Sequence, residues 1–411
     1  ETTVLVASML TPSELVRFAH QGPCAALTES CGPKSHTAIL ARSLGIPLLA
    51  GIASPAEKVA EGELVLIDAG SGLAVVSPGA EELDLADRIR AALARVRSEQ
   101  PRPRQPVTRD GVAIRLALNI SDPKQAELVP RFGASGVGLF RTEFLYMDRK
   151  SWPSEEESYA AYQRVAEAIG DGELHIRLAD FGADKCPDYA DFAMGRNPSL
   201  GVRGVRLLLQ RDDILAPQAR AIGRLAERRP VVLLVPMLDG LDTLRRLTGR
   251  LEELCGVQRE TFPFQLGAMI EVPAAAVTIA EILEDVDLVS IGLNDLTQYL
   301  LAADREDDSV QHYHDALQPA VLRLISQVVA AAGEQGKPMS VCGELAGDPV
   351  LTAVLLMLGV RRFSVSRPDY GRVVDLMERL SIADLEKHRE QVLRARTGDE
   401  VRQILAALQP T

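Results

Sequence analysis

Short apolar runs alternate with amphipathic helical patterns over most of the chain after residue 107. Runs of Val, Ile and Leu bounded by turn residues are typical of buried strands, and strands that alternate with helical patterns indicate βαβ units with parallel strands. The pattern predicts eight strands, within VAIRLALNI (112–120), GVGLFR (136–141), LHIRLAD (174–180), PVVLLVPM (230–237), QLGAMIEV (265–272), VDLVSIG (286–292), KPMSVCGE (337–344) and RRFSVS (361–366).

Eight parallel strands with intervening helices, spread over about 300 residues, match the size and strand count of a (β/α)8 TIM barrel. We therefore predict an α/β fold class with a barrel domain over residues 107–411. A doubly wound open sheet shows the same alternation of strands and helices, and it is the alternative architecture.

The first 80 residues follow a different rhythm. Short apolar runs are broken by Gly and Pro and interrupted by only one or two helices, which predicts a small β-rich domain over 1–80. Apolar residues from Leu85 to Val96 then recur at helical spacing, and the stretch PRPRQP that follows cannot continue a helix. We predict a connecting helix and a proline-rich linker over 81–106.

Composition and charge exclude several classes of function. Hydrophobic residues make up 46% of the chain and charged residues 25%, which is ordinary for a globular protein with a full core. A net charge of −12 and an aromatic content of 4% argue against nucleic-acid binding. No apolar run has the length of a membrane span, so we expect no membrane insertion. The five scattered cysteines include no CxxC pair, which favours reduced thiols and a cytoplasmic location.

Polar side chains stand at the C-terminal ends of the predicted barrel strands, where a TIM barrel has its catalytic face. They comprise two arginines, three carboxylates, an amide and a thiol: Arg141, Arg177, Asp180, Glu271, Asn294, Asp295 and Cys342. Taken singly, Arg141 could pair with Glu143 at a helix start, and Cys342 could be a small buried hydrophobe. Their convergence on one face indicates an active site instead.

The cationic side chains favour a small, doubly acidic ligand. The planar guanidinium groups of Arg141, Arg177 and Arg305 suit bidentate hydrogen bonds to carboxylate or phosphate. Lys185 adds a point charge to the same group of side chains. Together they predict a binding site for the charged ends of the substrate.

The acidic and thiol side chains point to the reaction. Glu271 and Asp295 are hard oxygen ligands without a nearby histidine, which favours Mg²⁺. Cys342 could protonate a leaving group after its phosphoryl group has been transferred. A site that combines arginines, a metal ion and a thiol is suited to phosphoryl transfer.

His36, within CGPKSHTAIL (31–40), is the candidate phosphoryl acceptor. Taken by itself, a lone histidine at the start of a predicted helix could equally be a surface or capping residue. The barrel offers little else, because His312 and His314 lie in a segment that reads as the surface entry to a helix. The acceptor is therefore expected in the small domain.

Four stretches, in this order, together resemble one known family: SHTAILARSLGIP (35–47), GASGVGLFRTEFLYMDR (133–149), IGLNDLTQYLLAADR (291–305) and VCGELAGDP (341–349). The family is Enzyme I of the bacterial phosphotransferase system, the phosphoenolpyruvate-protein phosphotransferases. The resemblance implies a small, swivelling β/β/α phosphohistidine domain and a barrel that binds phosphoenolpyruvate and forms a homodimer. It also implies release of pyruvate and onward transfer to a histidine-containing phosphocarrier protein in sugar uptake.

The resemblance implies a role at each matching position. His36 matches the phosphorylated histidine, and Cys342 matches the proton donor to the enolate carbon. Glu271 and Asp295 match the magnesium ligands. The residues that contact phosphoenolpyruvate match Arg141, Arg177, Lys185, Asn294, Asp295 and Arg305.

Departures from the family pattern leave other interpretations open. The loop before the histidine contains Cys31, Pro33 and Lys34 where the family has other residues. The helical domain that docks the carrier has no counterpart upstream of TTVLVAS, and the chain begins without Met, so we expect a piece of Enzyme I or of a larger fusion. The alternatives are a non-catalytic relative that senses phosphoenolpyruvate, or an enzyme similar to pyruvate phosphate dikinase or phosphoenolpyruvate synthase.

Overall fold

The computed structural model of the chain describes residues 3–19, 22, 24–31, 36–98, 104–147, 149–182, 187, 189–192, 195–305, 307 and 309–407. The chain divides into two compact units. One contains residues 1–102 with 304–312, and the other contains 103–303 with 313–411. The domain bounds predicted at residues 80 and 107 stay predictions.

The first unit contains a three-stranded parallel sheet in the order β1–β2–β3, with bounds Thr3–Met9, Cys24–Ser30 and Leu48–Leu49. Helices α1 to α3 span Pro12–Ala19, His36–Leu44 and Pro55–Lys58. An antiparallel hairpin is formed by β4 and β5, Val65–Asp68 and Leu73–Val76. Buried apolar side chains from the sheet, α1, α2 and the adjoining loops form a small core: Leu10, Leu15, Ala26, Ala41 and Ile46.

Helix α4 spans Ala80–Ser98, so the helix predicted from apolar spacing is confirmed. Its apolar positions are not fully covered within the described part of the chain, because Leu85 is 57% and Ile89 is 44% exposed. Glu81 and Glu82 lie in the first turn, where carboxylates interact favourably with the positive end of the helix dipole.

The second unit is a closed barrel of eight parallel strands, in which the last strand pairs with the first. This closure confirms the TIM barrel and rules out the open sheet. All eight runs predicted from the sequence contain a strand: β6 (Arg115–Ile120), β7 (Gly136–Arg141), β8 (Glu173–Arg177), β9 (Val232–Val235), β10 (Gln265–Ile270), β11 (Leu288–Gly292), β12 (Met339–Cys342) and β13 (Arg362–Val365).

Helices connect and surround the barrel strands: α5 (Leu128–Phe132), α6 (Glu155–Ile169), α7 (Val205–Leu208), α8 (Asp212–Ala226), α9 (Leu241–Cys255), α10 (Pro273–Val277), α11 (Ile279–Asp285), α12 (Leu293–Leu301), α13 (Pro319–Glu334), α14 (Pro349–Leu358), α15 (Arg367–Arg379), α16 (Ile382–Glu386), α17 (Arg389–Arg394) and α18 (Gly398–Ala406). Helix α6 shows why such segments fold: Ser154 and Glu157 form a capping box at its start. None of the described helices is long and apolar enough to cross a bilayer.

Close backbone approach between β7 and β8 depends on a glycine at the start of β7. Gly136 has a φ of +151°, and a Cβ at this position would lie 2.1 Å from the carbonyl oxygen of Glu173. Both features exclude a side chain, since L residues rarely adopt this φ and the neighbouring atom is backbone that cannot turn away.

We expect Gly136→Ala to destabilise the barrel by about 3 kcal/mol or more, because strain and steric overlap act together. Gly170→Ala is the matched control: its φ of +57° is also positive, but no described atom would lie within 4 Å of the new Cβ. This control should cost only about 1 kcal/mol. Calorimetry of the thermal unfolding transition measures both, and equal losses would contradict the close approach.

Candidate active site

The structure brings the strand-end side chains together at the carboxyl end of the barrel. Six side chains predicted for the site lie there: Arg141, Arg177, Glu271, Asn294, Asp295 and Cys342. The two arginines and the cysteine are the last residues of β7, β8 and β12, and the glutamate directly follows β10. The asparagine and the aspartate lie in the first turn of α12, which begins directly after β11.

A carboxylate that strand-end reasoning does not single out, that of Glu344, links two of these groups. Its Oε1 accepts a hydrogen bond from Nη1 of Arg141 at 2.5 Å, and its Oε2 accepts one from Nδ2 of Asn294 at 2.6 Å. The preceding Gly343 has a φ of +103°, and a Cβ there would approach Oδ1 of Asn294 to 3.2 Å. The turn after β12 therefore needs glycine in order to place this carboxylate.

Arg177 is almost completely buried and is held by carboxylates. Its Nη2 donates to Oε1 of Glu143 at 2.8 Å, and its Nη1 lies 3.6 Å from Oδ2 of Asp180. The Nε–H of Arg177 is buried and has no hydrogen-bond partner among the described residues. A buried donor of this kind normally finds an acceptor, so Arg177 can contribute this bond to an anionic ligand.

Arg203 connects three acidic or phenolic groups at the same end of the barrel. It donates to both carboxylate oxygens of Asp180, at 3.2 and 2.7 Å, and its Nη1 reaches Oδ1 of Asp295 at 3.4 Å and the hydroxyl of Tyr299 at 2.9 Å. Burial alone would lower the pKa of this guanidinium, but the carboxylates of Asp180 and Asp295 raise it well above its usual value. Arg203 is therefore a permanent, buried positive charge.

The carboxyl group of Glu271 is buried against backbone on two sides. Its Oε1 accepts a hydrogen bond from the backbone N–H of Met237 at 2.7 Å. A Cβ on Gly292 would lie 2.4 Å from Oε2, so the end of β11 leaves this space to the carboxylate. Burial, and then the negative charges of Asp295 and Asp180, raise the pKa of Glu271 from 4.5 to about 7.

Carboxylates outnumber arginines among the side chains that these contacts join. Three arginines, Arg141, Arg177 and Arg203, face five carboxylates, those of Glu143, Asp180, Glu271, Asp295 and Glu344. Buried carboxylates are hard oxygen ligands of the kind that suits a divalent cation such as Mg²⁺. Within the described ranges, no three carboxylate, histidine or cysteine side chains converge closely enough to hold a metal by themselves. An ion bound by Glu271 and Asp295 would take further oxygen ligands from water or substrate.

Cys342 is a buried thiol surrounded by polar groups. Its side chain is 1% exposed, and its Sγ lies 3.6 Å from the carbonyl oxygen of Ile291. Burial raises the pKa of Cys342 to about 11, although a hydrogen bond with Ser290 opposes the rise. The thiol therefore keeps its proton at neutral pH, which a proton donor requires and a nucleophilic thiolate does not.

Three further residues were predicted for the site: His36, Lys185 and Arg305. His36 is the first residue of α2, so its predicted place at a helix start is confirmed, while its side chain lies outside the described part of the structure. Lys185 also lies outside the described residues. Arg305 is 4% exposed and belongs to the segment 304–312 that groups with the first unit.

The prediction that His314 lies in a surface segment is wrong. Its imidazole is 2% exposed, and its Nε2 lies 3.1 Å from the carbonyl oxygen of Asn294. The short turn Gln311–Tyr313 precedes it, and the polar sequence of this turn gives no indication that the histidine is buried. Through this contact the imidazole packs against the first turn of α12, which carries Asn294.

Strand-end reasoning misses Arg203 and Glu344. Arg203 lies in the segment between β8 and α7, and only the closed barrel places it beside Asp180. The signal in the sequence is the adjacent glycine, Gly204. In the structure this glycine has a φ of +53°, and a Cβ placed there would lie 3.1 Å from Oδ1 of Asp180. Glu344 lies two residues beyond Cys342, so a search that continued two residues past the end of β12 would find it.

Comparison with known proteins gives consistent matches over both units. The family described as PEP-utilising enzyme, PEP-binding domain, matches residues 95–382, and PEP-utilising enzyme, mobile domain, matches residues 1–72. A phosphoenolpyruvate-protein phosphotransferase of Haemophilus influenzae is 35% identical over 98% of this chain and 72% of its own length. A protein of the same name from Geobacillus stearothermophilus is 36% identical over 98% of this chain and 71% of its own length.

Among solved structures, an HpcH/HpaI aldolase/citrate lyase family protein from Burkholderia cenocepacia is similar to this chain. It covers 70% of this chain and 97% of its own, with a TM-score of 0.40 and 15% sequence identity. This likeness is too remote to bear on the chemistry of the site.

The raised pKa of Glu271 predicts a dependence of stability on pH. Because the folded state raises this pKa from 4.5 to about 7, the stability that the carboxyl group contributes is present below about pH 4.5 and is lost as the pH rises through 7. Glu271→Gln removes the titration. Without divalent metal, we expect the variant to gain about 2 kcal/mol relative to the unsubstituted chain between pH 5 and pH 8. Thermal unfolding of both proteins across this range tests it, and a constant difference would contradict the buried charge.

Proposed function

Since the chain belongs to the phosphoenolpyruvate-protein phosphotransferases, a family of PEP-utilising enzymes, we propose that it transfers the phosphoryl group of phosphoenolpyruvate to its own His36 and releases pyruvate. The observation that carries this proposal is the barrel opening, where arginines, buried carboxylates and a protonated thiol converge. This set of groups matches what the transfer needs: charge to hold the substrate, oxygen ligands for a metal, and a proton for the enolate.

The arginines bind and orient the substrate. Arg141 and Arg177 end neighbouring strands that are in register with each other, so their guanidinium groups can hold one small dianionic molecule between them. The unpartnered Nε–H of Arg177 supplies one bond to it. Arg203 adds a fixed positive charge that stabilises the phosphoryl group during transfer. We assign Asn294, Lys185 and Arg305 to further contacts with the substrate.

Glu271 and Asp295 would hold Mg²⁺, and the two carboxylates fit this role because they are buried and lie close enough for the charge of Asp295 to raise the pKa of Glu271. The ion supplies positive charge to the oxygen atoms of the substrate when it is bound. Met237 orients Glu271 through its backbone N–H, and Arg203 orients Asp295 through Nη1. These contacts keep both ligands in place before the substrate arrives.

Cys342 protonates the enolate carbon once the phosphoryl group has left. The pKa of about 11 keeps the thiol protonated at neutral pH, so the proton is available when the enolate forms. The thiol is 1% exposed, and exclusion of water favours transfer to carbon from this one group.

His36 would then pass its phosphoryl group to a histidine-containing phosphocarrier protein. The matching relatives bear the name phosphoenolpyruvate-protein phosphotransferase, and a protein acceptor of the phosphoryl group follows from that name. We further propose that the barrel forms a homodimer, that the small domain swivels between donor and acceptor, and that the protein acts in cytoplasmic sugar uptake.

We expect the chain, incubated with Mg²⁺ and phosphoenolpyruvate labelled at phosphorus, to carry one phosphoryl group on His36 and to release an equal amount of pyruvate. Mass spectrometry of peptides locates the label, and His36→Ala should remove it. The exposed-turn variant His312→Ala is the control and should label normally, because that histidine is not part of the proposed reaction. Label on a residue other than His36 would refute the assignment.

We expect Asp295→Asn to slow phosphorylation of His36 at least 100-fold, because it removes a metal ligand and weakens the contact with Arg203. The variant should also lose the increase in melting temperature that millimolar Mg²⁺ gives the unsubstituted chain. Asp242→Asn, an exposed carboxylate in the first turn of α9, is the control and should change neither quantity. Normal stabilisation of Asp295→Asn by Mg²⁺ would contradict its role as a ligand.

A further inference from the structure

We propose that a row of serine hydroxyls inside the barrel, Ser290 and Ser340, returns a proton to Cys342 after each pyruvate is formed. The proposal rests on the proposed function, in which the thiol of Cys342 gives its proton to the enolate carbon. Neither serine touches the substrate in this proposal. Both act through Cys342, and they set the rate at which its thiolate regains a proton.

The two strands that carry these residues place them in one interior row. Ser290 of β11 is in register with Ser340 of β12, and Gly292 is in register with Cys342. The Ser340 hydroxyl donates a hydrogen bond to the Ser290 hydroxyl at 3.0 Å, and the Ser290 hydroxyl lowers the pKa of the Cys342 thiol. Ser290, Ser340 and Cys342 therefore share one face where β11 and β12 pair, with Ser290 as the polar neighbour of the thiol.

Exposure along this row changes in the direction that a proton path needs. Cys342 is 1% exposed and Ser290 is fully buried, whereas Ser340 retains 9% of its surface. Of the three side chains, Ser340 is therefore the one that water reaches most readily. A thiolate left at Cys342 is strongly disfavoured by burial, so a proton offered through Ser290 is taken up readily.

The interior of the barrel is unusually polar around this row. TIM barrels normally fill this space with branched apolar side chains. Here, polar atoms of three interior side chains are buried without a hydrogen-bond partner among the described residues: Oγ of Ser364, both amide atoms of Asn119, and Nδ1 of His175. Ser364 directly follows Phe363, which is in register with Val341, so it lies level with Cys342 on the next strand. Buried atoms of this kind typically bind internal water.

A glycine allows the Ser364 hydroxyl to lie against the neighbouring strand. A Cβ on Gly138 would lie 2.6 Å from Oγ of Ser364 and 2.9 Å from Cβ of Ala117. A side chain at this position would therefore displace the Ser364 hydroxyl from its place in the barrel interior.

The S–H bond of Cys342 breaks as a C–H bond forms on the enolate carbon, which becomes the methyl group of pyruvate. The thiolate then takes the proton of the Ser290 hydroxyl while the Ser290 oxygen takes that of Ser340. Ser340 takes a proton from an internal water, and one solvent proton enters the barrel for each pyruvate formed. No oxidant, reductant or other reactant is needed.

Deuterium incorporation into pyruvate measures this relay directly. The chain is equilibrated with Mg²⁺, phosphoenolpyruvate and pyruvate in D₂O, and proton NMR follows the loss of methyl protons. In the reverse direction Cys342 takes up a methyl proton, and deuterium enters the product only if that proton exchanges through the relay before it returns. The first-turnover phosphorylation of His36, measured in parallel, starts from a protonated thiol and needs no relay.

We expect Ser290→Ala and Ser340→Ala each to slow deuterium incorporation at least tenfold while first-turnover phosphorylation changes less than threefold. Ser290→Thr keeps a hydroxyl and should restore incorporation, which a purely structural role would not predict. Ser158→Ala, which removes a buried hydroxyl on α6 outside the barrel interior, is the matched control and should leave incorporation unchanged.

Incorporation within twofold of normal in both alanine variants would overturn the relay. An equal loss of first-turnover phosphorylation and incorporation would overturn it as well, because the serines would then support the site rather than the proton path. A failure of the proposed function is distinct from these outcomes: the unsubstituted chain would then neither label His36 nor incorporate deuterium.

Discussion

Buried charge at the carboxyl end of the barrel is the constraint on which the rest of the site depends. Asp180 is fully buried, and a carboxylate removed from water must be paired. It contacts Arg177 and Arg203, and Arg203 in turn reaches Asp295. These residues come from β8, from the loop that follows it and from α12, so the strands must stay in register for any of the charges to be balanced.

This network also prepares the site for its ligand. Arginines that are already held by carboxylates lose little side-chain freedom when a substrate binds. Glu344 holds Arg141 and Asn294 in the same way, and its carboxylate engages groups that we assign to the substrate. An anionic substrate that binds Arg141 therefore replaces one charged hydrogen bond of this arginine with another.

The sequence predicts the fold well because strand pattern and strand number are local properties. Eight apolar runs with helical segments between them can be counted along the chain, and the closed barrel contains a strand in each. The site residues at strand ends are predictable for the same reason, since the ends of parallel strands meet at one edge. His314 shows the limit: a polar neighbourhood suggests the surface, but the structure buries the imidazole against the backbone of Asn294.

By itself, the sequence determined the architecture, the residues at the strand ends and, through its resemblance to a known family, the roles proposed for them. Only the tertiary structure decided which groups meet. Arg203 belongs to no strand pattern that would mark it, yet barrel closure brings it within hydrogen-bond distance of Asp180, 23 residues away, and of Asp295, 92 residues away. The serine row was decided in the same way, because Ser290 and Ser340 are 50 residues apart and become neighbours only through the register of β11 and β12. Contacts between distant residues follow from register and closure, which no local pattern encodes.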